Sequence, residues 1–197
     1  MRTGVAEQVG GCYCVVIHTN GQAEVKQFDD KDHTKVFEKS REYIGCKWLD
    51  NVVVQQFAPD VRMVYLVNDN GYADWGNDPK KVNQIATYIY NGGQKPNHYI
   101  LGDVVMCWLV DTDDGGEFIG MSELAANRIC RETNAKIAPK AKQAVEIPTA
   151  VPDPLVKVSC YNSTEDLIKA MKGDTSVKPI EETIISGSDA KAEAKVN

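Results

Sequence analysis

The residues best suited to chemistry crowd into one stretch, VYLVNDNGYADWGNDP, at positions 64–79. Its side-chain oxygens follow an apolar run and precede a helix start, so two interpretations compete: a ligand or metal loop, and a pair of turns. Asn70-Gly71 has the composition of a primed hairpin turn. The Asn-Asp pair before Pro79 is typical of a helix start with proline at its first position. Backbone turns therefore account for most of these oxygens.

The side chains left over form the predicted binding site. Tyr72, Asp74 and Trp75 lie between the two turns, and tyrosine and tryptophan supply rigid contact area at interfaces. Two lysines follow Pro79, where the free amide groups of a helix start favour an anion. The predicted binding residues are Asn70, Tyr72, Asp74, Trp75, Lys80 and Lys81.

An acidic turn at residues 111–117 has part of the calcium-loop pattern. Asp111 and Asp113 fit the first and third positions of an EF-hand loop. Gly115 replaces the ligand at the fifth position, and Ser122 replaces the bidentate glutamate at the twelfth. We therefore expect a solvated turn between a strand and a helix, and no metal site.

Three histidines are candidates for a catalytic base. His18, His33 and His98 fall at a strand end, a helix start and a loop, and no serine lies in a GxSxG-like elbow. A nucleophile needs a positioned base beside it, and His98 with Cys107 or Asp103 is the nearest approach to such a set. Because a histidine in a polar loop needs no special role, we predict a protein that is not an enzyme and that holds no cofactor.

Six cysteines are scattered along the chain without a CxxC pair. Cys12 and Cys14 share one face if they lie in a strand, but the remaining ligands of a zinc site would have to come from distant residues. We expect buried, reduced thiols in a cytosolic chain.

Hydrophobic periodicity predicts the elements that position these residues. Asn20-Gly21 lies between two β-branched runs, which is the strongest short signal for a hairpin. Gly45 follows an amphipathic segment, where a helix end needs positive φ. The predicted strands are 14–18, 23–28, 52–57, 61–67 and a turn into a long strand over 100–110, and the predicted helices are about 36–44, 79–90 and 122–132.

These elements predict one α+β domain, with a mixed, mainly antiparallel sheet, two or three packed helices and a flexible C-terminal tail. Residues 1–11 are expected to be a flexible arm, and residues 12–132 the domain. Residues 133–197 are expected to be a linker rich in Ala, Lys and Pro and a largely disordered tail, with a short helix near 163–172.

The net charge of −6 is unevenly distributed. Residues 134–197 carry nine of the 22 basic and nine of the 28 acidic residues, which leaves 13 basic and 19 acidic residues before them. An acidic domain lacks the clustered cations of a nucleic-acid surface, but it can steer a basic partner. The first residues have neither a signal-peptide nor a membrane-span pattern, so we expect a soluble, cytoplasmic protein without a membrane partner.

Short motifs over residues 14–130 carry a family resemblance. They are Ile44-Gly45, Asn68 with Asn70-Gly71, Asn83-Gln84-Ile85-Ala86, and Ile100-Leu101-Gly102-Asp103-Val104-Val105. This order resembles a family of small uncharacterised domains encoded by bacteriophages, plasmids and conjugative elements. The chain departs from that family at Cys46, where a second glycine is usual, and in its long C-terminal extension.

The resemblance implies a mobile-element accessory protein and offers no catalytic residues. The expected function is non-catalytic binding of a host or defence protein in the bacterial cytoplasm, through the 68–83 loop. Two alternatives stay open. One is sequestration of a nucleotide-like ligand at Lys80 and Lys81, and the other is a virion or assembly component whose tail orders on a neighbouring phage structural protein.

Overall fold

The computed structural model describes residues 10–28, 35–75, 78–113, 115–148, 155–160 and 181–186. The chain divides into two units, Met1–Val151 and Pro152–Asn197. The first unit contains the sheet and helices that position the candidate site. In the second unit, two strands are described.

The strands of the first unit are β1 (Gly10–Gly11), β2 (Tyr13–Ile17), β3 (Ala23–Gln27), β4 (Leu49–Ala58), β5 (Val61–Asn68), β6 (Val104–Thr112) and β7 (Gly115–Met121). Its α-helices are α1 (Lys35–Ile44), α2 (Gly71–Trp75), α3 (Gln84–Tyr90), α4 (Glu123–Glu132) and α5 (Ala138–Ala144). A 3-10 turn, Pro79–Lys81, precedes α3, and a π-helical turn, Thr133–Ile137, joins α4 to α5.

The sheet is built around β6, and each of its strand pairs is antiparallel. One edge of β6 pairs with β5, and β4 lies outside β5. The other edge pairs with β2 over its first residues and with β7 over its last ones. β3 lies outside β2, and β1 lies outside β7. The predicted antiparallel sheet is confirmed.

Helices cover both faces of this sheet because β6 is apolar on both sides. Met106 and Trp108 belong to a core with residues of α3, α4 and α5, whereas Val105 and Cys107 belong to a core with α1. Successive side chains of a strand point to opposite faces, so an unbroken apolar run predicts cover on each. The predicted α+β class is confirmed, with helices on both faces.

Two predicted turns are confirmed by their backbone geometry. Gly21 of the β2–β3 hairpin has φ +84°, and Gly45 after α1 has φ +72°. The amides of Gly45 and Cys46 both donate to the carbonyl of Arg41, at 2.8 and 3.2 Å. Glycine adopts positive φ at little steric cost, so these local signals are sufficient to place the turns.

The predicted linker after residue 132 is wrong for its first part, because the chain continues as helix to Ala144. Ala141 and Val145 are buried, at 0 and 1 % exposure. Pro139 lies in the first turn of α5, where proline is tolerated because its missing N–H has no helical partner. The domain therefore extends beyond the predicted boundary.

The ends of the chain also differ from the prediction. Gly10–Gly11, placed in the flexible arm, pairs with Gly120 and Met121 of β7, a strand that the sequence did not predict. In the second unit, β8 (Leu155–Cys160) pairs with β9 (Glu181–Ser186), in segments assigned to linker and disorder. β-branched residues in both segments favour this pairing. The predicted helix near 163–172 lies outside the described residues.

The described residues contain no helix with the length and hydropathy that a transmembrane span requires.

Candidate functional site

The amide of Asn68 organises the stretch in which the candidate residues lie. Asn68 ends β5 and is 7 % exposed. Its Nδ2 donates to Asp74 Oδ2 at 2.9 Å, and its Oδ1 accepts from the Asn70 amide at 3.1 Å. The Asp74 amide in turn donates to the Asn70 carbonyl at 2.7 Å. The side-chain oxygens of this stretch therefore hold the first turn of α2.

The hairpin turn predicted at Asn70-Gly71 is wrong. Gly71 begins α2, and it is not among the described glycines with positive φ, which a primed turn requires. The physical reason is the side chain of Asn68, which bonds to both ends of the turn and favours a helical path. The Asn-Gly pair alone does not show that a polar side chain two positions earlier will bond to the turn.

Tyr72 and Trp75 attach α2 to the segment that leads into β6. The Tyr72 hydroxyl donates to the Tyr99 carbonyl at 2.8 Å. Trp75 packs over Gly102, where an added Cβ would lie 2.1 Å from the indole ring. The ammonium of Lys81 lies 5.2 Å from the centroid of the Trp75 ring, within range of a cation–π interaction. Trp75 therefore has a packing role, while Tyr72 stays half-buried at the surface.

A cavity of about 180 Å³ opens beside Tyr72, between β4, β5 and the segment before β6. Its lining includes the apolar or aromatic side chains of Val52, Val67, Tyr72 and Tyr99 and the carboxylates of Asp50 and Asp69. Asp50 and Asp69 are exposed. Of the six predicted binding residues, Tyr72 alone lines this cavity, and β4 supplies residues that the sequence did not single out.

The anion site predicted at Lys80 and Lys81 is not assembled as expected. Pro79–Lys81 is one 3-10 turn, and Asp78 Oδ1 accepts from the Lys80 amide at 3.0 Å. The next two amides, of Lys81 and Val82, donate to backbone carbonyls at 3.0 and 3.2 Å. These amides are already hydrogen-bonded, so they do not converge on an anion.

The helix predicted from Pro79 begins instead at Gln84, with Asn83 as its N-cap. Asn83 is fully buried, and its Oδ1 accepts from the Ala86 amide at 3.0 Å. Its Nδ2 donates to the carbonyls of Ile17 and Gly102, at 2.8 and 3.0 Å. One side chain thus caps α3 and joins it to β2 and to the entry into β6.

Sequence reasoning missed a cluster around His18. Nδ1 of His18 lies 2.6 Å from Asp103 Oδ2, and Nε2 lies 3.0 Å from Glu24 Oε1. The Thr19 amide donates to Asp103 Oδ1 at 2.8 Å, and Lys26 Nζ lies 2.9 Å from Glu24 Oε1. The pairing of β2 with β6 brings His18 and Asp103 together, which their separation of 85 positions concealed.

This cluster is a clamp rather than a proton-transfer site. Burial by itself lowers the pKa of His18, but hydrogen bonds and the negative charges of Asp103 and Glu24 raise it, and the net pKa lies above its ordinary value. Both ring nitrogens have carboxylate partners, so neither is left to accept a proton from a substrate. The arrangement favours a charged imidazole that holds two strands and a turn together.

The catalytic set considered for His98 does not form. Asp103 pairs with His18 instead, and Cys107 is fully buried in the core with α1. Burial raises the pKa of Cys107, and it raises the pKa of Cys14 to about 12. Because the thiolate is the nucleophile and the metal ligand, these thiols are unreactive at neutral pH.

The acidic turn joins two strands, not the strand and helix that were predicted. Asp111 forms an ion pair with Arg62, and the hydroxyl of Thr112 donates to the Gly115 carbonyl at 2.7 Å. No group of three or more His, Cys, Asp or Glu side chains among the described residues could hold a metal ion.

The fold and the cavity define an α+β domain with an antiparallel sheet, helices on both faces and a small hollow beside an outer strand. Comparison of the chain with protein-family models, with curated proteins and with solved structures finds no match. The resemblance to small mobile-element domains stays a prediction.

Proposed function

We propose that this chain is a non-catalytic accessory protein of a bacteriophage or mobile element, which binds a host or defence protein at the cavity beside Tyr72. The observation that carries the proposal is the position of this cavity: Asp50 and Val52 on its wall belong to β4, the outermost strand next to β5. A concave surface at a sheet edge gives a protein partner both pockets and backbone groups to bind.

The surroundings of β4 support a protein partner. Trp48, Val53 and Phe57 lie beside or within this strand and are 53, 45 and 53 % exposed. Single exposed apolar residues are ordinary, but these three lie along an outer strand, the part of a sheet that another chain can approach. Aromatic side chains are also enriched at the centres of protein interfaces.

The size of the cavity separates a protein partner from a nucleotide-like ligand. Pockets for small molecules usually measure about 300–1,000 Å³, whereas this one measures about 180 Å³, room for one long side chain. The amides near Lys80 and Lys81 are also hydrogen-bonded within the chain. Both observations favour the protein partner over nucleotide sequestration.

Affinity purification from cells that carry the phage or element tests the proposal. The bait is compared with two cavity variants, Tyr72→Ala and Val52→Phe, and with the control Tyr90→Ala, which removes an exposed tyrosine at the end of α3. Val52→Phe fills the cavity without removing the Tyr72–Tyr99 hydrogen bond, so it tests binding apart from folding.

The expected result is a host or defence protein that the wild type and Tyr90→Ala retain and that both cavity variants lose. Retention of a phage structural protein would favour the assembly alternative instead. A partner that all four baits retain equally would contradict a role for the cavity.

A further inference from the structure

The outer strand β4 is divided into a regular half and a bulged half. Its pairing with β5 is regular from Leu49↔Asn68 to Val53↔Val64, and the register then shifts between Val53 and Gln55 and again between Gln56 and Ala58. Bulges interrupt the ladder and twist an edge away from further pairing. Strand addition is therefore confined to Leu49–Val53.

Another outer strand of the sheet, β3, is closed where it begins. The side-chain amide of Asn134 is hydrogen-bonded to both the N–H and the carbonyl of Ala23. Backbone groups that an added strand would need are occupied there. On β4 one such group is occupied, because the Asn51 amide donates to Asp50 Oδ1 at 2.7 Å, whereas both groups of Ala23 are held by Asn134. Leu49–Val53 is therefore the more open segment for an extended chain.

Two side chains in the regular half of β4 lie on the same face of the sheet as the cavity. Asp50 and Val52 alternate along this half, and both line the cavity. Side chains of a neighbouring strand on that face lie within reach of these two residues. An added strand thus brings one of its side chains to the cavity.

The charge of the cavity selects the chemistry of that side chain. Among the described residues, the charged side chains that line it are those of Asp50 and Asp69, and both are acidic. Lys and Arg pack an apolar stem against apolar surface and keep their charged head near water or a carboxylate. Val52, Val67 and Tyr72 supply apolar surface for such a stem. The excess of acidic residues before position 134 also steers a basic segment toward the domain.

We infer that the partner adds an extended segment to Leu49–Val53 and inserts a Lys or Arg side chain into the cavity, with its head near Asp50. This inference rests on the proposed function, because it names the chemistry of the partner at the same surface. The proposed function requires only that a protein partner binds at the cavity. The inference adds that this partner pairs through its backbone and contributes one basic side chain.

Two synthetic peptides test the inference with the full chain. Each is nine residues long, and Thr and Val alternate along it except at the central position. That position is Lys in one peptide and Glu in the other. Isothermal calorimetry gives their affinities, and NMR hydrogen exchange locates the amides that become protected. The chain variants are Asp50→Asn and the matched control Asp60→Asn, which removes a carboxylate from the turn at the other end of β4.

The expected result is protection of amides within Leu49–Val53 by the Lys peptide, with binding of the Glu peptide at least about tenfold weaker. Asp50→Asn should weaken the Lys peptide about three- to tenfold, and Asp60→Asn should leave its affinity unchanged. Equal binding of the two peptides, or protection confined to another strand, would overturn the inference.

Failure of the inference is distinguishable from failure of the proposed function. If the Lys peptide does not bind but Val52→Phe abolishes capture of a host protein, the strand-addition mode is wrong and the cavity remains the contact surface. If Val52→Phe leaves capture unchanged, the cavity itself is not the contact surface and both proposals fail.

Discussion

The side-chain amide of Asn134 is hydrogen-bonded to both backbone groups of Ala23. The Ala23 N–H donates to Oδ1, and Nδ2 donates to the Ala23 carbonyl, both at 2.8 Å. The same carbonyl also lies 3.2 Å from the thiol of Cys130. An amide in this position imitates the backbone of a neighbouring strand, so the turn after α4 closes the start of β3.

Replacing Asn134 should therefore destabilise the domain. Asn134→Ala removes two hydrogen bonds and leaves backbone groups of a buried residue without these partners, so we expect a loss of about 1–2 kcal/mol in the free energy of unfolding. Urea denaturation measures this loss. The control is Asn127→Ala on the exposed side of α4. Among the described residues, the side-chain amide of Asn127 bonds only within its own helix. Equal losses for the two variants would contradict the edge-closing role.

The clamp at His18 makes stability depend on pH. In the folded chain Asp103 and Glu24 raise the pKa of His18 above its ordinary value, and unfolding returns it to about 6.5. The contribution is thus fully present below the unfolded pKa and is lost as the pH rises through the folded pKa. Lys26, which pairs with Glu24, stays positively charged over this range.

We expect the difference in unfolding free energy between wild type and His18→Gln to be largest below about pH 6 and to shrink as the pH rises. Denaturation at a series of pH values measures it, and NMR titration of the imidazole gives the folded pKa directly. His98→Gln, in an exposed loop, serves as the control. A difference that grows with pH would show that the neutral imidazole is the stabilised form.

Because Trp75 packs against Gly102, we expect a substitution of Gly102 to destabilise the domain strongly. Gly102 has φ +77°, and an added Cβ would lie 2.1 Å from the indole. Gly102→Ala therefore combines left-handed strain of about 1–2 kcal/mol with overpacking of about 1–3 kcal/mol. Gly92→Ala has the same backbone strain, at φ +63°, but no atom within 4 Å of the new Cβ. Thermal unfolding should separate the two, and equal melting temperatures would refute the packing argument.

Buried Asn83 is the best single test of how α3 is held. Its side chain makes three hydrogen bonds at 0 % exposure. Asn83→Ala leaves the Ile17 and Gly102 carbonyls without this donor, so we expect a loss of about 3 kcal/mol in the free energy of unfolding. Asn20→Ala, in the exposed hairpin turn, is the matched control. Chemical denaturation that gives less than about 1 kcal/mol for Asn83→Ala would mean that other donors replace it.

Local signals in the sequence predicted the parts of the fold that depend on one backbone position. Gly21 lies with positive φ in the predicted hairpin, Gly45 has the predicted positive φ of a helix end, and the apolar run over 100–110 predicted the central strand β6. Where the path depends on more than the local motif, the prediction was wrong. The side chain of Asn68 favours a helix start at the predicted Asn70-Gly71 hairpin, and Pro139, in the predicted linker, lies in the first turn of α5.

The candidate site was less predictable than the fold because its walls come from three separate segments. Tyr72 was predicted from its aromatic side chain between two turns, but Asp50 and Val52 reach the cavity only through the pairing of β4 with β5. His18 and Asp103 meet for the same kind of reason, through β2 and β6. A single sequence does not show which strands pair, so it does not show which of these residues become neighbours.

Two substitutions of Tyr72 separate its structural role from its proposed binding role. Tyr72→Phe removes the hydrogen bond to the Tyr99 carbonyl but keeps the ring at the cavity. We expect it to lower the free energy of unfolding by about 0.5–1.5 kcal/mol and to retain the partner in affinity purification. Tyr72→Ala removes the ring as well, so it should lose the partner. If Tyr72→Phe alone abolishes capture while the domain stays folded by circular dichroism, the hydroxyl contacts the partner, and the cavity wall is not what the partner recognises.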